Sequence, residues 1–387
     1  MKRVGMEVSH AVAEAVRLAN VDLIAAYPIT PQTHIVERLS EAVANGEIDA
    51  EFICVESEHS AMSVCLGASA SGARTYTATS AQGLELMHEV LYVTSGMRLP
   101  VSMTVANRAL SAPLNILCDH SDLMATRDTG WIQMFAENGQ EAFDLTLCSF
   151  RIAEEAMLPI MMHMDGFTLT HVVEPILLME EGEVGDLIPE FKSPMSLDPD
   201  NPLTLGGYAL ASEYTEVKVS QEKAVREAKR VVKDTWRRFG EISGRFYNPV
   251  ECYEMEDARI GLALQGSFAE TASIAVDKMR KDGKKVGLVR PRLWRPFPFE
   301  ELRQATKDLD ALVVLDRSLS VGSHPPLGSE IRSALYGQPK RPQVVSFVGG
   351  LGGRDITPEG FERMIEDSLK IAEAGPGEEF LIFGVKE

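Results

Sequence analysis

Cysteine is scarce and scattered in this chain of 387 residues, which has five cysteines and no Cys-x-x-Cys pair. Zinc ribbons and iron–sulfur clusters need ligand cysteines at short, fixed spacing, so the sequence does not support either kind of site. Isolated cysteines are typical of small core residues in a reducing compartment. If electrons leave this system through iron–sulfur clusters, another chain must carry them.

Long apolar runs and an excess of positive charge are also missing. No apolar run approaches the ~18 residues that a membrane helix needs, and the segment after the basic Met1–Arg3 is too polar for a signal peptide. We therefore expect a cytoplasmic protein without a membrane partner. The formal net charge of −19 argues against nucleic acid as a partner. An anionic small substrate stays compatible with it, because a site can be locally positive within an acidic protein.

Strand and helix patterns alternate through residues 1–175. The predicted strands are 21–26, 52–55, 75–79, 101–106 and 159–164, and the predicted helices are 7–18, 34–43, 60–70, 83–96 and 140–156. Such alternation with short connections indicates a mainly parallel sheet with helices on both faces.

The character of the sequence changes over residues 176–255. Residues 180–183 and the proline-rich stretch 189–202 are interpreted as surface connection, and Ser220–Arg238 is predicted to form a long, charged, solvated bridging helix. A second α/β unit follows, with predicted strands 260–264, 286–289, 311–315 and 343–347 and predicted helices 268–281, 299–307, 327–336 and 358–374. We divide the chain into a first domain over 1–240 and a second over 256–387.

The turn Tyr27–Thr33 directly follows a predicted buried strand. Two prolines stiffen it, and they place the hydroxyl of Thr30 at the carboxyl end of the strand, where ligands bind in open α/β sheets. Thr33 is predicted to cap the helix that follows. An ordinary strand–turn–helix connection would explain the turn equally well.

Three further segments follow predicted strands. Glu58 lies at a strand-to-helix junction, where the helix dipole favours a carboxylate, although acidic first turns are also common in structural helices. Small residues over Ala78–Gly83 would allow close approach of a ligand or of another backbone segment, without the spacing of a known phosphate loop. Arg108 is suited to a bidentate contact with a carboxylate or to a structural ion pair. In the polar loop after it, a candidate lid, we interpret His120 as a solvated residue rather than as a general base.

Six ordered segments together resemble the α subunit of 2-oxoacid:ferredoxin oxidoreductases, and above all the pyruvate:ferredoxin oxidoreductase (pyruvate synthase) family. These segments are Tyr27–Pro31, Glu56–Ala61, Thr79–Leu84, Asn107–Leu110, Arg127–Trp131 and Asp165–Phe167. Arg295–Pro298 and Gly350–Asp355 resemble marks of the family's second domain, so the resemblance covers nearly the whole chain.

The resemblance implies a thiamine-diphosphate-binding, pyrimidine-type doubly wound domain followed by an α/β domain like the C-terminal domain of transketolase. It implies that Glu58 contacts N1′ of the cofactor's aminopyrimidine, where a shared proton promotes the imino tautomer that deprotonates the thiazolium. It also implies that Thr30 donates to the 2-oxoacid and that Arg108 binds the carboxylate of that substrate. The other residues expected at the cofactor are Tyr27, Gln82 and Gly83.

The expected reaction converts a 2-oxoacid, CoA and oxidised ferredoxin to an acyl-CoA, CO₂ and reduced ferredoxin, with pyruvate as the expected substrate. The chain contains no Gly-Asp-Gly…Asn segment and no cysteine cluster, so Mg²⁺ and [4Fe-4S] clusters are expected on β-, γ- and δ-type partner subunits and no metal ligand is assigned here. Branched-chain 2-oxoacids, 2-oxoglutarate, or an aryl glyoxylate with NAD as acceptor stay open. An alternative of another class is a non-catalytic scaffold subunit.

Overall fold

Two α/β sheets with their own hydrophobic layers make up the fold. The computed structural model describes residues 1–374 and 380–386. Within these ranges no helix combines the length and the apolar character that a membrane span requires. Residues 375–379, which belong to the predicted second domain, lie outside the described residues.

A seven-stranded sheet organises the N-terminal unit. In spatial order its strands are Leu293–Arg295 (β12), Ile132–Phe135 (β6), Ile160–Asp165 (β7), Val101–Asn107 (β5), Thr75–Thr79 (β4), Leu23–Ala26 (β2) and Glu51–Cys54 (β3). All neighbours are parallel except β12, which runs antiparallel to β6. Every residue of β4, β5, β6 and β7 is buried, as expected for a sheet covered on both faces.

Helices cover both faces of this sheet. They are Val8–Leu18 (α1), Thr33–Ala44 (α2), Glu58–Ala70 (α3), Ala81–Leu86 (α4), His88–Gly96 (α5), Ser121–Thr126 (α6), Gly139–Ala156 (α7), Glu181–Leu187 (α8) and Tyr214–Ser243 (α9). The largest core joins α1, α2, α7 and α9, and a separate core joins α3 and α5 to the opposite face. The predicted doubly wound architecture is confirmed.

A six-stranded sheet forms the second unit. In spatial order its strands are Leu381–Ile382 (β15), Gln343–Val348 (β14), Ala311–Asp316 (β13), Ile260–Ala263 (β10), Val286–Pro291 (β11) and Val250–Tyr253 (β9), with only β9 antiparallel to its neighbour. Its helices are Phe268–Lys281 (α10), Phe299–Thr306 (α11), Pro326–Leu335 (α12) and Pro358–Ala374 (α13), together with the 3₁₀ turn Leu351–Gly353. Apart from these sheets, Lys2–Glu7 (β1) pairs antiparallel with Val173–Leu178 (β8).

Three local predictions were wrong. Thr33 is the first helical residue rather than the cap, because the preceding residue, Gln32, already has helical backbone angles. The backbone N–H of Gln32 donates to Ile29 O at 2.9 Å. The predicted helix 83–96 is two helices that meet at Met87. Residues 180–183 are not surface connection, since α8 begins at Glu181 and Glu180 and Glu183 form its capping box.

Candidate active site

The carboxyl ends of four neighbouring parallel strands meet at one edge of the seven-stranded sheet. β3, β2, β4 and β5 are adjacent and parallel, and each leads into one of the segments that the sequence singled out. The structure thereby brings to one edge the residues predicted for the site. These residues are Tyr27, Thr30, Glu58, Gln82, Gly83 and Arg108.

Glu58 is the first residue of α3 and is buried, with 6% of its surface exposed. Ser57 caps the helix by accepting a hydrogen bond from Ser60 N at 3.2 Å, so the backbone fixes the start of α3 and the position of Glu58. Burial raises the pKa of Glu58, while a hydrogen bond from its own backbone N–H opposes the shift. The alternative, an acidic first turn in solvent, does not match the burial of the Glu58 side chain. The Glu58 carboxyl keeps its proton to higher pH than an exposed glutamate does.

Gly83 leaves the space that the Glu58 carboxyl occupies. A Cβ built on Gly83 would lie 2.6 Å from Glu58 Oε1 and 2.5 Å from Thr79 Oγ1. Both distances are shorter than side-chain contacts allow, so any larger residue at this position would displace Glu58 or the end of β4. The small residue predicted to allow close approach at this loop, Gly83, is in fact approached by the Glu58 carboxyl.

Arg108 joins two of the predicted segments. Its Nη1 donates to Thr30 O at 2.7 Å and its Nη2 donates to Gln82 Oε1 at 2.9 Å. Its Nε is buried and has no hydrogen-bond partner among the described residues. Burial lowers the pKa of Arg108, and the Asp122 carboxyl partly offsets this. A guanidinium has five N–H donors, so Arg108 is held in place with donors still free for an anionic ligand.

Thr30 and Tyr27 lie at the exposed rim of this arrangement. Thr30 contacts Arg108 through its carbonyl, which leaves the hydroxyl available to a ligand. The carbonyl of Tyr27 accepts a hydrogen bond from Gln32 Nε2 at 3.0 Å, and the same amide donates to Ala78 O at 3.0 Å. Gln32, which the sequence analysis did not single out, thus fixes the turn to the end of β4.

Asp122 is the buried residue that organises the edge, and the sequence analysis did not assign it a role. Its Oδ2 accepts from Ala81 N and Arg108 N, both at 3.0 Å, and its Oδ1 accepts from Asn107 Nδ2 at 2.8 Å. Burial raises the pKa of Asp122 to about 7, and these donors oppose the shift. One carboxyl thereby ties together the loops that carry Gln82 and Arg108.

Asp165, at the end of β7, binds residues of the second unit. Its Oδ2 accepts from Arg317 Nη1 at 2.6 Å and from Ser267 N at 2.8 Å, while its Oδ1 lies 2.8 Å from His120 Nε2. Burial would raise the pKa of Asp165, but the Arg317 guanidinium and His120 hold it well below its usual range. The solvated interpretation of His120 was wrong, since only 2% of this residue is exposed.

Cys118 lies beside this cluster, and ligand atoms of Cys118, His120 and Asp165 fall within 4.8 Å of one another. The Arg317 guanidinium already neutralises Asp165 at the same place and would repel a metal cation. Burial also raises the pKa of the Cys118 thiol well above its ordinary value, which disfavours the thiolate that binds metals. The three residues thus suit an ion-pair contact between the units better than a metal site.

Comparison with known families and proteins gives concordant matches along the chain. The family model described as pyruvate flavodoxin/ferredoxin oxidoreductase, thiamine diphosphate-binding, matches residues 14–236. The model for pyruvate:ferredoxin oxidoreductase core domain II matches residues 258–361. The chain is 47% identical over 361 residues to pyruvate synthase subunit PorA of Methanocaldococcus jannaschii, covering 92% of each chain. It is 43% identical to ketoisovalerate oxidoreductase subunit VorA of Pyrococcus abyssi, covering 95% of this chain and 93% of that one.

Two solved structures share the fold. A 2-oxoglutarate:ferredoxin oxidoreductase from Magnetococcus marinus superposes with a TM-score of 0.70 at 19% identity, over 95% of this chain and 65% of that one. A split-gene transketolase superposes with a TM-score of 0.55 at 13% identity, over 95% of this chain and 99% of that one. These likenesses support the predicted pairing of a thiamine-type domain with a transketolase-like domain.

Proposed function

The chain belongs to the pyruvate flavodoxin/ferredoxin oxidoreductase family, and we propose that pyruvate is the 2-oxoacid on which it acts. It is the α subunit of a 2-oxoacid:ferredoxin oxidoreductase, an oxidoreductase of several subunits. The proposed reaction is pyruvate, CoA and oxidised ferredoxin to acetyl-CoA, CO₂ and reduced ferredoxin. Its single strongest support in the structure is the pair of a buried Glu58, whose pKa is raised by burial, and an Arg108 with free donors at one sheet edge.

The surroundings of Glu58 fit the aminopyrimidine of thiamine diphosphate. The carboxyl is buried and burial raises its pKa, which favours sharing a proton with a ring nitrogen acceptor. Gly83 keeps the space beside Glu58 Oε1 free of side-chain atoms. Thiamine diphosphate, when bound, supplies the carbanion chemistry that cleaves 2-oxoacids. Glu58 would hold and move the proton at N1′, and Tyr27 and Gln82 would lie beside the cofactor.

Arg108 would bind the carboxylate of the 2-oxoacid. Its two existing bonds, to Thr30 O and Gln82 Oε1, orient the guanidinium and leave further N–H donors for the substrate carboxylate. The hydroxyl of Thr30 would donate to the same substrate. A buried, pre-oriented cation of this kind lowers the entropy lost when the substrate is positioned.

Partner subunits would complete the site. The chain has no Gly-Asp-Gly…Asn segment for Mg²⁺ and diphosphate and no clustered cysteines, so we propose that β-, γ- and δ-type subunits supply the Mg²⁺ site and the [4Fe-4S] clusters. Ferredoxin would take the electrons from those clusters. A branched-chain 2-oxoacid is the second candidate substrate, because subunit VorA of the ketoisovalerate oxidoreductase of Pyrococcus abyssi is 43% identical to this chain.

The test is viologen reduction by the complex purified without oxygen from its native host, with and without CoA, across a panel of 2-oxoacids. We expect reduction to require CoA and to be fastest with pyruvate. Glu58→Gln should abolish turnover, Arg108→Ala should chiefly raise KM for the 2-oxoacid, and the matched control Glu56→Gln, at an exposed neighbouring carboxylate, should change neither. Full activity of both site variants would favour a scaffold subunit instead. Faster reduction with a bulkier 2-oxoacid would replace pyruvate as the proposed substrate and leave the proposed chemistry unchanged.

A further inference from the structure

Two segments from different units lie against each other beside Arg108. The first is the Arg108 loop, residues 109–120, which connects Arg108 to α6. The second is the glycine segment, Gly349–Gly353, which follows β14 of the second unit.

Hydrogen bonds join the two segments. Gly353 N donates to Cys118 O at 2.7 Å, and Asn115 Nδ2 donates to Gly352 O at 3.0 Å. The backbone of Arg317 adds a third bond, since its carbonyl accepts from the backbone N–H of the loop residue His120 at 2.8 Å. The far half of the Arg108 loop is thus fixed to the second unit.

The same contact reaches Arg108 through one further bond. Ala109 N donates to Leu117 O at 3.1 Å, so the residue next to Arg108 is tied to the residue next to Cys118. Leu110 N donates to Ser121 Oγ at 2.9 Å and closes the base of the loop. The backbone on the C-terminal side of Arg108 is therefore set by where the glycine segment holds residues 117 and 118.

The packing leaves no room for a side chain on the glycine segment at this contact. A Cβ on Gly353 would lie 2.5 Å from Leu117 Cβ, and one on Gly352 would lie 2.3 Å from Asn115 Nδ2. The Leu117 contact involves a Cβ close to the backbone, which moves only if the loop itself moves. Substitution of Gly353 would therefore push the Arg108 loop away from the second unit.

The tip of the loop has little other support. Residues 111–114 are exposed, and Leu114 has 73% of its surface exposed. A loop whose tip is exposed is ordered mainly by the contacts made at its base. The glycine segment provides that hold from outside the N-terminal unit.

We propose that the glycine segment is a positioning element for substrate binding, with Gly353 as its central positioning residue. It fixes the Arg108 loop so that the Arg108 guanidinium meets the 2-oxoacid carboxylate in one orientation. This inference rests on the proposed function in one respect, the assignment of Arg108 to that carboxylate. It assigns the second unit a direct part in binding the substrate.

The test is Gly353→Ala in the assembled complex, with Gly322→Ala as the matched control. Both glycines have positive φ, +79° and +82°, so alanine is strained equally in each backbone, but a Cβ on Gly322 meets no atom within 4 Å. We measure kcat and KM for the 2-oxoacid, thiamine diphosphate affinity by titration, and amide hydrogen exchange of residues 109–120. Asn115→Ala is the second variant; without adding atoms, it deletes the bond to Gly352 O and the bond that Asn115 Oδ1 accepts from Leu117 N at 2.7 Å.

We expect Gly353→Ala to raise KM at least about ten-fold, because small misplacements of a positioning group have effects up to about 10²-fold. We expect kcat and cofactor affinity to stay close to those of Gly322→Ala, amide exchange over residues 109–120 to be faster, and Asn115→Ala to raise KM by a smaller factor. KM values equal to that of the control in both variants would overturn the inference. That result would not contradict the proposed function, which is tested separately by the activity of the unaltered complex and by the loss of turnover in Glu58→Gln.

Discussion

Replacing Asp165 with asparagine should loosen the contact between the two units. The carboxylate is fully buried, and its Oδ2 accepts from Arg317 Nη1 at 2.6 Å and from Ser267 N at 2.8 Å. Asparagine keeps the shape but removes the charge, which leaves Arg317 buried without its counter-ion. Removing one partner of a buried ion pair destabilises by about 3–5 kcal/mol. That free energy corresponds to an increase of about two to nearly four orders of magnitude in the population of open forms.

Amide hydrogen exchange of the assembled complex measures this opening. Exchange at Ser267, whose N–H is bonded to Asp165 in the closed form, should accelerate strongly in Asp165→Asn. The control is Asp144→Asn, which also removes a buried carboxylate paired with an arginine, Arg245 at 2.6 Å. That pair lies within the N-terminal unit, so exchange at Ser267 should stay unchanged. Equal acceleration in both variants, or none in Asp165→Asn, would refute the assignment of Asp165 as the link between the units.

The pH dependence provides a separate check on Asp165. Its pKa in the fold lies below the ordinary value of about 3.9, so the fold binds its proton less readily than the unfolded chain does. Its contribution to stability is therefore complete above about pH 4 and is lost as the pH falls through the lower pKa of the folded state. Exchange at Ser267 that does not accelerate as the pH falls from 5 to 2, after correction for intrinsic rates, would contradict this sign.

Three further predictions concern the sheet edge. Gly83→Ala should weaken thiamine diphosphate binding about ten-fold or more, since an active-site group displaced by 1 Å has effects of this size; calorimetry on the complex measures it, with Gly67→Ala, where a Cβ meets no atom within 4 Å, as control. Asp122→Asn places an amide N–H₂ against a donor in either orientation, the backbone N–H groups of Ala81 and Arg108 or the Nδ2 of Asn107, so KM for the 2-oxoacid should rise while assembly is retained, as steady-state kinetics and gel filtration would show. Burial raises the pKa of Glu58, so its contribution to stability is present below its ordinary pKa and is lost as the pH rises through the raised value. The Tm of Glu58→Gln should therefore exceed that of the wild type increasingly with pH, and parallel Tm curves would disprove it.

Much of this arrangement follows from local sequence patterns. The strand 75–79 and the helices 268–281 and 358–374 have the predicted bounds, and the ends of most other predicted elements lie within two residues of the observed ends. Parallel strands place their carboxyl ends at one edge, so predicting β2, β3, β4 and β5 was sufficient to bring four candidate segments together. That Glu58, Gly83 and Arg108 share an edge could be reached from the strand pattern alone.

Long-range contacts could not be predicted from those patterns. Asp165 and Arg317 are 152 residues apart, and nothing in either local sequence indicates the other as its partner. The edge strand β12 has only three residues, and its partner strand β6 lies in the other half of the chain. Burial of His120 depends on the same contact between units, which explains why a polar loop sequence led to the wrong interpretation.

The strand β12 also constrains how the protein is made. Residues 293–295 complete a sheet whose other strands all lie before residue 166, so synthesis must continue into the second unit before the sheet has all its strands. Until then β6 presents an unpaired backbone edge, the kind of surface on which nascent chains pair with one another. A ribosome that stalls before residue 293 would release a chain with that edge open. Chaperones that shield strand edges should therefore matter most for this protein in the interval between translation of the two units.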